Sequence, residues 1–224
     1  MAVDPRHGVG EARVGDRRDQ IRGLAAEMFF ERGYESTTIR ELAAALDIKA
    51  ASLYYHFPDK EQILFELVGS VLERLLAGAR ALVDGQESPD LQLAALVVNH
   101  VVLHALRPKE TTLGDSELRS LTGERREVNI RIRDTYERLV VDVLESGRDA
   151  GAFDVIDAKL TAYAIIAQAS HVGTWYDAHG RLSLEQITKV HVDLALRMVA
   201  AEPPAATDTR RLVREVRAFH EQRP

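Results

Sequence analysis

Apolar residues in this chain recur every three and four positions, and nowhere in a sustained alternation of two. That period belongs to one face of an α-helix, whereas a half-buried strand alternates. A chain patterned this way buries its apolar groups by packing helix on helix, so the expected fold is all-α. The first pattern spans 16–32, with Ile21, Leu24, Ala25, Met28 and Phe29 on one face and Gly33 as its stop. Thr38 followed three residues later by Glu41 reads as a capping box that opens a short second helix. A third helix begins near Lys49 and cannot pass Pro58. Asp59 with Gln62 reads as another box, opening a long helix whose apolar stripe from Ile63 reaches Val83. Ser88-Pro89 marks the next start, and further helices are expected over 90–106, 110–121, 124–150, 157–178 and 183–201, the last opened by Ser183 with Gln186.

Two parts follow from this punctuation. Residues 16–62 form a compact three-helix head and 63–202 a larger helical body, preceded by a disordered leader over 1–15. A linker and a short charged, amphipathic helix, 208–222, fill 203–224. The 224 residues are 46% hydrophobic, enough for a substantial core. Cysteine is absent, which excludes disulfides, thiolate metal sites and Cys nucleophiles and fits a reducing cytoplasm. No apolar run approaches the ~20 residues that span a bilayer, and the N-terminus lacks the apolar core of a signal peptide. A cytoplasmic chain without a membrane partner is expected. No G-x-S-x-G, glycine-rich phosphate loop or H-E-x-x-H is present, so neither an enzyme nor a resident cofactor is expected.

The segment "IKAASLYYHFPDKE" concentrates polar-tipped aromatic residues on one short helix. On a helical wheel Leu53 and Phe57 share the buried side, while Ala51, Ser52 and Tyr55 point away, with Tyr54 and His56 on the flanks. With the helix before it and a tight turn through Asp47-Ile48, it has helix-turn-helix proportions, a motif that lays its second helix in the DNA major groove. Ala50, Ala51 and Ser52 permit close approach to base edges, and Lys49 reaches a guanine edge or a phosphate. Tyr54, Tyr55 and His56 supply groups for phosphate oxygens; Thr38, Arg40 and Lys60 complete the candidate DNA-binding set. Backbone N–H groups at Thr38 and at Asp59-Lys60 are further phosphate donors. The alternative is that Tyr54, Tyr55 and His56 pack between head and body. Net charge does not decide between these readings: it is −6 for the chain, and the first 62 residues hold nine Lys/Arg against eleven Asp/Glu.

From Ala25 to Leu64 the sequence resembles the TetR family of transcriptional regulators. Phe29, Gly33, Tyr34, Thr37-Thr38, Ile39, Leu42 and Ala43 carry the resemblance, and above all Leu53-Tyr54-Tyr55-His56-Phe57 followed by Lys60 and Leu64. Asp47 stands where a glycine often precedes the reading helix, and Ala51 replaces a frequent glycine within it. The resemblance implies a DNA-binding head, a body that binds a small-molecule effector, and a homodimer on a palindromic, double-stranded operator. It also implies that helices 157–178 and 183–201 form the dimer bundle, through Leu160, Ala164, Ile165, Ala167 and Ala169 on one and Val190, Leu194, Leu196 and Val199 on the other. A repressor is expected rather than an activator, because blocking a promoter needs no further contacts.

Within the body, "ELRSLTGERREV", "YERLVVDVLESGRDAGAF" and "VGTWYDAHGRLSLEQI" resemble one branch of that family, whose regulators of fatty-acid or sterol catabolism sense acyl-CoA thioesters. Such an effector needs an apolar tunnel and cations for its phosphates. Arg119, Arg125 and Arg126 are candidate phosphate partners, and Leu103, Leu106, Leu118, Gln168, His171 and Trp175 candidate lining residues. Solvated arginines and a core tryptophan are the plainer reading of the same residues. A lipophilic drug or other apolar metabolite is the alternative effector, and a helical adaptor that does not bind DNA the alternative protein. His100 and His104 lie one turn apart, the spacing of a metal pair, but two histidines on a half-buried helix are more often structural, and no metal site is assigned.

Overall fold

The computed structural model describes residues 6–199 and 209–221, all of whose regular elements are helical. Helix α1 (Arg6–Arg32) starts ten residues ahead of the expected Asp16, so the stretch from residue 6 is helical where a disordered leader is expected. Three glycines lower the helix propensity of that stretch, but no proline interrupts it, and helical hydrogen bonds propagate backward. Residues 1–5, 200–208, which hold the expected linker, and 222–224, at the end of the expected terminal helix, lie outside the described residues. Gly33 ends α1 at a φ of 87°, with its N–H on the Phe29 carbonyl. The buried Thr37 hydroxyl then donates to the Gly33 carbonyl, 3.0 Å away. α2 (Ile39–Ala45) carries the complete Thr38–Glu41 capping box, and α3 (Ala50–His56) follows across Asp47, which takes a left-handed φ of 52°.

The long helix α4 (Lys60–Val83) leaves the head for the body. Asp59 caps it by accepting from the Gln62 N–H at 2.6 Å, but the Gln62 amide turns forward to Glu66 instead of closing the expected box. α5 (Pro89–Leu106) is apolar on every side, with a mean hydropathy of 1.3 that by length and composition could cross a membrane. It is instead the central core helix, enclosed by α4, α6 (Pro108–Glu117), α7 (Gly123–Asp149), α8 (Ala158–Ser170), α9 (Val172–Trp175), α10 (Leu184–Val199) and α11 (Thr209–Glu221).

Two expected helices are divided. The span 110–121 becomes α6 and a 3-10 turn, Leu118–Ser120. The span 157–178 breaks at His171, where the chain bends so that Gly173 packs on α5 and α6. A Cβ there would lie 3.3 Å from the His104 carbonyl oxygen and from Thr111 Oγ1. The terminal helix α11 is more than a charged appendage: Leu212, Val213, Val216 and His220 are buried against the body. His220 Nε2 lies 2.9 Å from Asn99 Oδ1, and Asn99 Nδ2 donates to the Leu75 carbonyl, so one buried amide joins α11, α5 and α4.

Candidate functional site

Two regions hold the candidate residues, and α4 connects them. In the head, Leu53 and Phe57 are fully buried and fix the inner side of α3, while Arg18 of α1 lies over the Phe57 ring, 4.2 Å from its centroid. Arg18 also donates to the His56 carbonyl and to Glu66 of α4, so one guanidinium ties three helices together. The outward face then presents Lys49, Ala51, Ser52, Tyr54 and Tyr55, with Ala50 partly covered and Arg40 exposed on α2. Tyr55 is 80% exposed, which an aromatic with a packing role would not be.

Two of the candidate phosphate-binding residues, Thr38 and Lys60, are already engaged within the protein. The Thr38 N–H donates to Glu41 Oε2 at 2.8 Å, and the Thr38 hydroxyl serves the same carboxylate. These bonds hold the Glu41 carboxyl below its ordinary range and leave no Thr38 N–H for DNA. Lys60 Nζ donates to the Tyr34 carbonyl at 2.8 Å and sits over the Tyr34 ring, 4.1 Å from its centroid. It therefore closes the head rather than reaching outward; burial, then the Glu61, Glu35 and Asp59 charges, push the Tyr34 hydroxyl up to about 12. His56 is half-buried, and burial together with the Arg18 and Arg17 charges lowers its pKa. The imidazolium, the form that would pair with a phosphate by charge, is thus disfavoured in the free protein.

In the body a cavity of about 100 Å³ lies between α4, α5, α6, α7 and α8. Val71, Leu72 and Leu75 of α4, Leu103 of α5 and Ile166 of α8 form its apolar wall. His100, Tyr136 and Ser170 form a polar strip, and His104, Asp115, Arg133 and Glu137 lead toward solvent. His100 and His104 stack with ring centroids 4.3 Å apart. Their nitrogens are committed to hydrogen bonds: Nδ1 of His104 to the His100 carbonyl, and both nitrogens of His100 to hydroxyls. His104 Nε2 faces Asp115 at 3.5 Å.

Of the effector candidates only Leu103 lines this cavity. Leu118 is buried in the core beside it, Leu106 and Gln168 are partly covered, and Arg119, Arg126, His171 and Trp175 are exposed. Arg125 has a different task. Its guanidinium meets both oxygens of Asp59 at 2.8 and 3.0 Å and Glu61 at 3.3 Å, so it grips the N-cap of α4 immediately behind the reading helix. That hydrogen bond is the first cause of the lowered Asp59 pKa. The residues that sequence reading missed, Tyr136 and Ser170, are 36 and 70 positions from their partner His100. Only the tertiary fold brings them together. The His100/His104 pair was the one local signal.

Comparison with known proteins agrees with this division. Residues 21–67 match the family of bacterial regulatory proteins described as tetR, and residues 86–199 match a tetracyclin repressor-like C-terminal domain. The HTH-type transcriptional repressor KstR2 of Mycobacterium tuberculosis is 31% identical over 192 residues, covering 84% of this chain and 96% of its own. The structure of that ketosteroid transcriptional regulator superposes with a TM-score of 0.77 at 28% identity, over 83% of this chain and 96% of the other. AibR, solved in complex with isovaleryl coenzyme A and operator DNA, superposes with a TM-score of 0.73 at 26% identity, over 80% of this chain and 97% of its own. With a reading head on α2–α3, a helical body behind it and a match to both halves, the chain belongs to the TetR family of bacterial transcriptional regulators.

Proposed function

We propose that this protein is a homodimeric repressor that occupies a palindromic operator and leaves it when an acyl-CoA thioester enters the body. One observation carries the reading: α4 is both the wall of the cavity, through Val71, Leu72 and Leu75, and the helix whose N-cap adjoins the reading helix. The cavity, about 100 Å³, is well below the roughly 300–1,000 Å³ that drug-sized ligands occupy. An effector must part α4 and α6 from the helices behind them, so binding and displacement of the lever are one event. A differential affinity of a few kcal/mol between the two lever positions suffices to empty an operator. AibR, crystallised with both isovaleryl coenzyme A and operator DNA, supports the thioester as the effector class. The reading includes no catalytic step.

The dimer would form through α8 and α10, where Leu160, Tyr163, Val190, Leu194 and Met198 are exposed large apolar residues on adjoining helices. Ile165, Ala169, Leu196 and Val199, named with them from the sequence, face the core instead. Fluorescence anisotropy with the DNA upstream of the protein's own gene tests the proposal. Salt-sensitive, sequence-specific binding is expected, reversed by isovaleryl-CoA or a longer acyl-CoA and not by free CoA. If no thioester shifts the binding curve while a free fatty acid or lipophilic cation does, the effector class is wrong. Absence of sequence-specific binding would leave the adaptor.

A further inference from the structure

Tyr136 of α7, His100 of α5 and Ser170 at the end of α8 form a hydrogen-bonded chain along the cavity. His100 Nδ1 lies 2.8 Å from Tyr136 Oη and Nε2 2.9 Å from Ser170 Oγ. A neutral imidazole carries one N–H, and each hydroxyl carries one O–H. Three hydrogens therefore serve two contacts. When Nε2 is protonated it donates to Ser170, Tyr136 donates to Nδ1, and the Ser170 hydrogen is unused. In the other tautomer Nδ1 donates to Tyr136, Ser170 donates to Nε2, and the Tyr136 hydrogen is unused. A second proton on the ring would free both. Among the described residues neither hydroxyl has another hydrogen-bond partner, and both side chains line the cavity.

The apolar side chains of the wall (Val71, Leu72, Leu75, Leu103 and Ile166) offer that hydrogen no acceptor; of the polar lining, the Thr111 hydroxyl is turned to the Arg107 and Pro108 carbonyls and the Glu137 carboxylate receives Arg133 at 3.4 Å. The side chains of Asp115 and Arg133 are about half exposed and mark the mouth, not the interior. We infer that the effector carries a neutral acceptor oxygen, such as a keto group, on its apolar body, and that the Tyr136–His100–Ser170 chain recognises it by donating the unused hydroxyl hydrogen. A plain hydrocarbon would bury that donor without a partner, whereas a carbonyl satisfies it. Because the hydrogen moves between Tyr136 and Ser170 with the tautomer, the chain follows the oxygen to either end of the strip. The inference rests on the cavity being the effector site.

The test uses two one-ring probes, the size class that an apolar cavity of roughly 150 Å³ admits. Cyclohexanone and cyclohexane are titrated into the full chain, read from the methyl NMR signals of its Ile, Leu and Val residues. Tyr136→Phe/Ser170→Ala removes both hydroxyl donors and leaves only the single N–H of His100. That pair of changes is expected to weaken cyclohexanone roughly fivefold, the scale of one neutral hydrogen bond, and to leave cyclohexane within about twofold. Each single change leaves a hydroxyl able to donate and is expected to lose less. Equal responses of the two probes overturn the donor role while leaving the cavity as a ligand site. Failure of both probes to bind the unaltered protein removes the cavity reading as well. Should the double variant not fold, histidine ring ¹⁵N signals of the unaltered protein decide: cyclohexanone must shift those of His100 toward one tautomer, and cyclohexane must not.

Discussion

His100 shows what burial does to a titratable side chain in this body. Its exposure is 3%, and burial first, then the charges of His104 and His191, hold its pKa well below the ordinary histidine value. In the unfolded chain the same ring takes up a proton near pH 6.5. Below that pH the unfolded state binds more protons than the folded one, so stability is full above about pH 6.5 and declines as pH falls. One such group gives a slope of at most about 1.4 kcal/mol per pH unit. His56 and His191 are shifted the same way and add to the slope. Urea unfolding between pH 7.5 and 5.5 is expected to be flatter in His100→Gln than in the unaltered protein, whatever the variant's baseline stability. Identical slopes would mean that the ring is not held neutral. The sequence shows the His100/His104 spacing but not its meaning, because a metal pair and a stacked, hydroxyl-bonded pair share the same i,i+4 period.

At the scale of elements, helix starts marked by a cap or a proline were legible, while the uncapped start of α1 and the helix breaks were not. Thr38, Asp59 and Asp157 cap from their own side chains, and Pro89 opens α5, all through groups within four residues of the start they mark. The break at His171 answers instead to the His104 carbonyl and Thr111 of other helices, which no local pattern records. The same distinction explains Arg125. On a wheel it is one of several arginines near a turn; in the fold it clamps Asp59, while the Thr122 N–H and hydroxyl hold Glu61 at 2.6 and 2.9 Å. The segment joining α6 to α7 thereby grips the start of the lever, and α6 is itself a wall of the cavity through Thr111, Gly114 and Asp115. Arg125→Ala is expected to loosen the head on the body and weaken operator binding about three- to fivefold, the scale of a partly exposed ion pair. The salt dependence decides the mechanism. A lost phosphate contact lowers the slope of log K against log salt by about one, whereas a lost clamp leaves it unchanged. A reduced slope would instead place Arg125 on the DNA phosphates, a role the sequence did not assign to it.

For the molecule as a whole, the reading head is small and its exposed contacts are few: Arg40, Lys49, Ser52, Tyr54 and Tyr55 face outward, while Lys60 is held by Tyr34. One head of that size has a limited grip on a duplex, and two heads held at a fixed separation bind with an effective concentration that multiplies their affinities. The exposed stripe on α8 and α10 is where that separation would be set. Leu160 is 66% and Leu194 47% exposed, so replacing them removes little packing from the protomer. Leu160→Glu/Leu194→Glu places like charges on a surface that a second copy must bury without water, which is costly unless the charges are paired. The double variant is expected to sediment as a monomer with unchanged helical content and a melting temperature within a few degrees of the parent corrected for dimer dissociation. Its affinity for a two-half-site operator should fall by about 10² or more, and its affinity for an isolated half-site should stay within about twofold. Retention of the dimer by this variant would move the interface off α8 and α10. A monomer that still binds the full operator at parental affinity would instead mean that each head reads its half-site alone, and that the spacing set by α4 does not govern release.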